Sequence, residues 1–167
     1  EPQPDDGVER IVRINGLRTP DGLADMAAIV GSATRPPALM LPKVKGLEEV
    51  ALVAETFDEI GVPMRLQIII ETNAGLEAAH EIARASDRVD SLLFGGVDLA
   101  ADLRCAYGWE PLLYARSRVV HAAASAGIDA IDVPWLDLAD MDGMREEACK
   151  AAALGYTGKG AIHPRQI

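Results

Sequence analysis

The sequence predicts an α/β fold with a parallel sheet, of the TIM (β/α)8-barrel type and incomplete, with about six β/α units visible in a single domain over residues 1–167. Three observations carry this. Strand-like and helix-like stretches alternate along the whole chain, the signature of right-handed βαβ units. The stretch Arg65-Leu66-Gln67-Ile68-Ile69-Ile70-Glu71 has a continuous β-branched core, as a strand buried on both faces requires, and is far too short to span a membrane. Polar residues at the strand ends, Asn15, Lys43, Glu71, Asp98, Asp132 and His163, recur at intervals of 28, 28, 27, 34 and 31 residues, about one β/α unit each. A full barrel needs eight strands and usually about 250 residues. Either the barrel is incomplete, or about two β/α units lie outside these 167 residues.

Taken in order, Glu1 to Gly7 is acidic with two prolines and reads as a loop or frayed end. Val8 to Asn15 reads as a strand with Arg13 near its far end. Thr19 and Pro20 have the chemistry of a cap and first turn for a helix over Gly22 to Val30. Pro36-Pro37 breaks the chain before a short strand, Ala38 to Lys43. Leu47 to Ile60 is amphipathic and closed by Gly61. After the Arg65–Glu71 strand comes a helix from about Gly75 to Ala85. A strand over Val89 to Phe94 follows, running into Gly95-Gly96-Val97-Asp98-Leu99. A helix over about Pro111 to Ala126 is closed by Gly127. A strand over Ile128 to Val133, a helix near Met141 to Leu154, and a final strand over Lys159 to Pro164 complete the chain.

Composition narrows the function. Aliphatic residues and alanine must fill the core, because 49% of the chain is hydrophobic but only 4% aromatic. A formal net charge of −10 argues against a nucleic-acid surface. Cys105 and Cys149 are far apart and lack metal-type spacing, so free thiols in a reducing cytoplasm are expected. With no signal peptide and no long apolar segment, the chain reads as a cytoplasmic protein without membrane contact.

Chemistry in such a fold gathers where strands end. Glu71 and Asp98 end neighbouring strands, and two hard oxygen ligands with room for waters suit Mg2+, with Mn2+ as a substitute. The alternative for Glu71 is a plain strand end meeting water. Arg13 could hold a carboxylate or carbonyl oxygen bidentately, or form a structural ion pair. Lys43 is a candidate substrate contact, and a Schiff-base role is disfavoured by the paired carboxylates. Gly95-Gly96 lets backbone amides approach a ligand without side-chain obstruction, or is an ordinary turn. Lys159 with Ile162-His163-Pro164 forms a basic, partly apolar rim able to meet a nucleotide moiety, or an ordinary strand terminus. His80 and His121 fall within helices and read as packing or surface residues. Glu48, Glu49, Glu146 and Glu147 read as solvated helix faces.

Six motifs occur in order: Val12-Arg13-Ile14-Asn15, Leu41-Pro42-Lys43-Val44, Ile70-Glu71-Thr72, Phe94-Gly95-Gly96-Val97-Asp98-Leu99, Ala130-Ile131-Asp132-Val133-Pro134 and Gly158-Lys159-Gly160-Ala161-Ile162-His163-Pro164. Together they resemble the citrate lyase β-subunit-like proteins of the HpcH/HpaI aldolase superfamily, over essentially the whole chain. The resemblance implies a Mg2+-dependent TIM-barrel lyase that cleaves or forms a carbon–carbon bond in a β-hydroxyacyl thioester of malyl-, citramalyl- or citryl-CoA type. It implies Glu71 and Asp98 as metal ligands and Arg13 as the substrate contact that steadies an enolate oxygen. The Gly96–Asp98 backbone would hold the keto-acid carboxylate, and Ile162, His163 and Pro164 would lie along the coenzyme A arm. It also implies a homo-oligomer, trimer or hexamer. The family's first two strands and its C-terminal segment, which can supply an acid from a neighbouring subunit, have no counterpart in the sequence. Activity of this chain alone is thus left open. Two rivals follow: a metal-dependent 4-hydroxy-2-oxo acid aldolase, and a truncated, non-catalytic homologue serving as a subunit.

Overall fold

A computed structural model describes residues 7–167; the expected Glu1–Gly7 loop lies outside them but for Gly7. Their sheet holds six strands, all parallel and in sequence order, each separated from the next by helix. In order these are β1 (Ile11–Arg13), α1 (Pro20–Gly31), β2 (Ala38–Leu41), α2 (Leu47–Glu59) and β3 (Arg65–Ile70). Then come α3 (Asn73–Glu77), α4 (Ala79–Ala83), β4 (Val89–Phe94), α5 (Gly96–Leu103) and α6 (Trp109–Ala126). The chain continues through β5 (Asp129–Asp132), α7 (Met141–Leu154) and β6 (Gly158–Lys159) to a 3-10 turn at Pro164–Gln166. The strands curl into an arc, an incomplete TIM-type barrel.

The β3 strand is the spine. Leu66, Ile68 and Ile70 are fully buried on its helix-facing side, and Gln67 and Ile69 are 7% exposed on the other. Burying each such aliphatic side chain contributes about 1.5–3 kcal/mol. Side chains alternate along a strand, so Glu71 continues the Gln67–Ile69 side, the concave one. The strands pair in parallel register, with one irregularity between Leu66 and Gln67 where β3 meets β4; beyond it Ile70 lies opposite Phe94, which sets Glu71 beside Gly95.

Several expected boundaries shift. The strand expected over Val8–Asn15 is confined to Ile11–Arg13, although the Ile14 amide still donates to the Met40 carbonyl at 3.2 Å. The helix expected from Gly22 starts at Pro20, with the Thr19 hydroxyl accepting from the Gly22 amide at 3.1 Å. The single helix expected over Gly75–Ala85 is instead two short ones. Arg118 donates to the Leu76 and Glu77 carbonyls at 2.7 and 2.6 Å, taking the acceptors that would have carried the ladder across Ala78. The expected last strand ends at Lys159: past it the Ile162 amide donates to the Gln166 carboxamide at 2.8 Å, and Pro164 opens the 3-10 turn. Glu49 and Glu147 are not solvated: both are buried, because each pairs with an arginine.

Candidate metal and substrate site

The carboxyl ends of four consecutive strands supply the site. Glu71 follows β3 directly and is 7% exposed; Thr72 then caps α3, accepting from the Gly75 amide at 3.0 Å and donating to the Val44 carbonyl at 3.2 Å. That double engagement turns the chain sharply and leaves Glu71 as the last strand-like residue. On the next strand the chain passes through Gly95 into α5, which delivers Asp98 on its first turn. The sequence, where the strand runs into Gly95-Gly96-Val97-Asp98-Leu99, does not announce this helix, because two glycines at its start mask its beginning. A Cβ at Gly95 would fall 2.4 Å from Glu71 Cβ, so only glycine lets Glu71 lie against this turn.

Lys43 joins the two acids. It follows β2 in the left-handed region, φ 57°, a conformation that costs a residue bearing a Cβ about 1 kcal/mol or more. Its amide donates to Glu71 Oε1 at 2.9 Å, while its ammonium lies 2.7 Å from Asp98 Oδ2. The Glu71 and Asp98 carboxyls are near enough for each to influence the other's titration. Their titrations are pushed apart. Burial raises Glu71 above the ordinary carboxylate range, and the hydrogen bond from Lys43 lowers Asp98, with Arg13 assisting at longer range. Lys43 is paired with a carboxylate rather than desolvated among apolar groups, the setting that activates a lysine nucleophile, which disfavours a Schiff base.

Arg13, Asn15, Lys43, Glu71 and Asp98 share a cavity of about 250 Å3. A larger one, about 730 Å3, continues from Lys43, Glu71 and Asp98 past Lys45, Arg18 and Asp102. Arg18 is fixed there by Glu49, which accepts from its Nε at 3.0 Å and Nη2 at 2.9 Å and from the Lys45 amide at 2.9 Å. Sequence reasoning missed Arg18, Lys45 and Asp102, which sit one or more residues beyond the strand ends; Asp102, on α5, accepts from the Asn73 amide at 2.6 Å.

The donor chemistry fits a hard divalent cation. Two carboxylates from adjacent strand ends meet beside open space, and among the described residues no group of three His, Cys, Asp or Glu side chains is placed to hold a metal ion. A site with two protein carboxylates suits Mg2+, which keeps waters and substrate oxygens in its remaining positions, better than a closed zinc site.

Not every expected residue joins. Gly96 and Val97 form the start of α5 but line neither cavity, and Ile162, His163 and Pro164 lie beyond β6, outside both. His163 accepts from the Arg165 amide at 3.1 Å, acting as a cap. Lys159 does not form a rim: its ammonium donates to Asp132 at 2.8 Å, Glu147 at 2.9 Å and the Val133 carbonyl at 2.9 Å. His80 and His121 line a small outer pocket with Tyr114, Ser117 and Arg118. No helix of the described residues is long and apolar enough to cross a membrane.

Comparison with known proteins places this arrangement. Residues 3–164 match the HpcH/HpaI aldolase/citrate lyase family. The chain is 34% identical over 175 residues to mitochondrial citramalyl-CoA lyase of Rattus norvegicus, covering 95% of this chain and 52% of that protein. The crystal structure of RipC from Yersinia pestis superposes with a TM-score of 0.88 at 39% identity, over 96% of this chain and 74% of that one. The citrate lyase β subunit from M. tuberculosis complexed with oxaloacetate and magnesium gives 0.80 at 33% identity, over 94% and 69%. The chain thus spans about half the length of the curated relatives it matches.

Proposed function

Because the chain belongs to the HpcH/HpaI aldolase/citrate lyase family, we propose that it carries the metal and substrate seat of a Mg2+-dependent carbon–carbon lyase acting on a β-hydroxyacyl thioester of malyl-, citramalyl- or citryl-CoA type. The observation that supports this is the convergence of Arg13, Lys43, Glu71 and Asp98 from successive strands on one cavity. The relative solved with oxaloacetate and magnesium, and the similarity to citramalyl-CoA lyase, point the same way.

In the cleavage direction the β-hydroxyl loses its proton and the bond between the α and β carbons breaks. The β fragment leaves as a keto acid, and the electron pair passes to the thioester as an enolate, later protonated at its α carbon. Glu71 and Asp98 would hold the ion, which when bound supplies a Lewis acid to the keto-acid and enolate oxygens. Arg13 offers a planar, permanently charged fork to the enolate oxygen, an electrostatic contact that strengthens as charge develops. The amides at the start of α5, from Gly96 to Asp98, would receive the keto-acid carboxylate, where a helix N-terminus favours an anion; of these residues Asp98 is the one that lines the cavities. Lys43 stands as a second cation on the same wall. The larger cavity gives the coenzyme A arm a way out past Lys45 and Arg18, a better seat for its anionic end than Ile162, His163 and Pro164, which line neither cavity.

The edge strands β1 and β6 each have one neighbour among the described residues. The homo-oligomer, trimer or hexamer, that the family resemblance implies belongs to this reading, as does the cytoplasmic setting. Calorimetric titration with Mg2+ and then oxaloacetate or glyoxylate tests the site. Mg2+ binding that is required for keto-acid binding, and lost in Glu71→Ala and Asp98→Ala with the fold retained, is the expected result. Undiminished Mg2+ affinity in both variants would overturn the metal assignment.

A further inference from the structure

Arg116, midway along α6, is the largest fully buried side chain of the described residues, yet it touches neither cavity of the proposed site. Its guanidinium lies between two rings, 4.9 Å from the Phe94 centroid and 4.7 Å from that of Trp109. Its Nε donates to Asp132 Oδ1 at 3.1 Å, and Nη2 lies 3.4 Å from Glu147 Oε2. Lys159 closes the set by binding the other oxygen of each acid, at 2.8 and 2.9 Å. Two cations and two anions thus form a closed, neutral cluster joining α6, β5, α7 and β6.

Such a cluster is a poor device for stability alone, because well-fitted apolar residues serve as well or better. What it provides here is direction. A guanidinium locked by two carboxylates cannot rotate, so it fixes the plane of any ring stacked on it. The ring it meets belongs to Phe94, the last residue of β4, 2% exposed. That ring in turn backs the start of α5: a Cβ at Gly96 would lie 2.9 Å from Phe94 Cε1. The contacts run without a gap from Asp132 and Glu147 through Arg116 and Phe94 to Gly96, two residues before Asp98.

We infer that Arg116 is a positioning residue, which holds the Phe94 ring and through it the first turn of α5. The part of this inference that concerns keto-acid binding rests on the lyase reading; the part that concerns the helix does not. Arg116→Lys keeps the charge and loses the planar face; Phe94→Leu removes the ring. Hydrogen exchange read by mass spectrometry should show faster exchange over Gly96–Leu103 in each variant, by about tenfold, with Leu47–Ile70 unchanged. The double variant should be no worse than the worse single one, because both act through the same contact. Glyoxylate affinity in the presence of Mg2+ should fall in step with the exchange.

Additive effects, or faster exchange spread evenly over the molecule, would reduce Arg116 to a stabilising residue and overturn the inference. Should Arg116→Lys fail to fold, Phe94→Leu and Trp109→Leu decide it: exchange over Gly96–Leu103 that stays unchanged in both would overturn it equally. If the unaltered chain binds no glyoxylate, the lyase reading fails while the exchange result still settles the role of Arg116.

Discussion

Gly95→Ala is a one-methyl test of how the two carboxylates are held together. The added Cβ would sit 2.4 Å from Glu71 Cβ, 2.9 Å from Glu71 Oε2 and 2.9 Å from Ile69 Cγ2. Carbon atoms are comfortable near 3.5 Å, so Glu71 must retreat from β4 by about 1 Å. Both are 7% exposed on the concave face, and Glu71 borders the cavity, so relief of the clash moves its carboxylate within the site. Overpacking of this kind costs about 1–3 kcal/mol. At 2–4 °C per kcal/mol for a chain of this size, Tm should fall by roughly 2–12 °C. The effect on the ion is larger than the effect on the fold. Mg2+ demands oxygens at about 2.0–2.1 Å in near-octahedral array, so a ligand displaced by about 1 Å no longer reaches it. Calorimetry at a temperature where the variant is folded should show Mg2+ affinity reduced at least about tenfold. Gly31→Ala is the control: it ends α1 with nothing within 4 Å of the added carbon, and should be neutral or stabilising by up to about 1 kcal/mol. Equal Mg2+ affinity in Gly95→Ala and the unaltered chain would refute the idea that this close approach sets the ligand spacing.

Three further outcomes are expected. Arg13→Lys should leave Mg2+ affinity unchanged and lower turnover of a malyl- or citramalyl-type thioester by about 10- to 100-fold, since a lysine cannot make the forked contact; unchanged turnover would make Arg13 structural. Lys159→Met leaves Asp132 and Glu147 facing Arg116 alone, a broken buried pair costing about 3–5 kcal/mol; a thermal melt should show Tm lower by roughly 6–20 °C, with Mg2+ affinity intact. Glu71 must be ionised to bind Mg2+, and burial raises its pKa, whereas Asp98 is lowered and stays ionised. Calorimetric Mg2+ affinity should therefore decline, as pH falls, before an ordinary glutamate begins to protonate; a decline that starts only within the ordinary carboxylate range would contradict the burial effect.

The parallel sheet and the convergence of Arg13, Lys43, Glu71 and Asp98 on one cavity were legible because both rest on local signals. The β-branched run at β3 announces burial on both faces, and the near-constant spacing of Asn15, Lys43, Glu71 and Asp98 announces a repeating unit that ends on polar groups. What was illegible came from tertiary contacts. The break between α3 and α4 is made by Arg118, more than forty residues away in sequence. Glu147 and Lys159 have ordinary surface-residue chemistry, and only the fold brings Arg116 and Asp132 to them. Glu49 reads as one more helix acid until Arg18 is seen across from it. The shared pocket of His80 and His121, between α4 and α6, likewise depends on packing that no local pattern encodes.

The division of labour along the arc bears on what this chain can do. Arg13, Lys43, Glu71 and Asp98 come from β1, the end of β2, the end of β3 and the start of α5 after β4, each beside the next. The contacts that set their geometry, Lys43 to Glu71, Lys43 to Asp98 and Gly95 against Glu71, all lie within these four units. The β5 and β6 strands contribute at their ends a closed salt cluster instead of open ligands, and that cluster reaches the site only through Phe94. On the proposed reading metal binding is a property of four consecutive strands, and the cavity beside them is where a substrate oxygen would complete the coordination. Mg2+ affinity and keto-acid affinity measured on these 167 residues should accordingly survive even where thioester turnover does not. A chain that lost Mg2+ binding while keeping its fold would place a ligand outside the four strands and break this account.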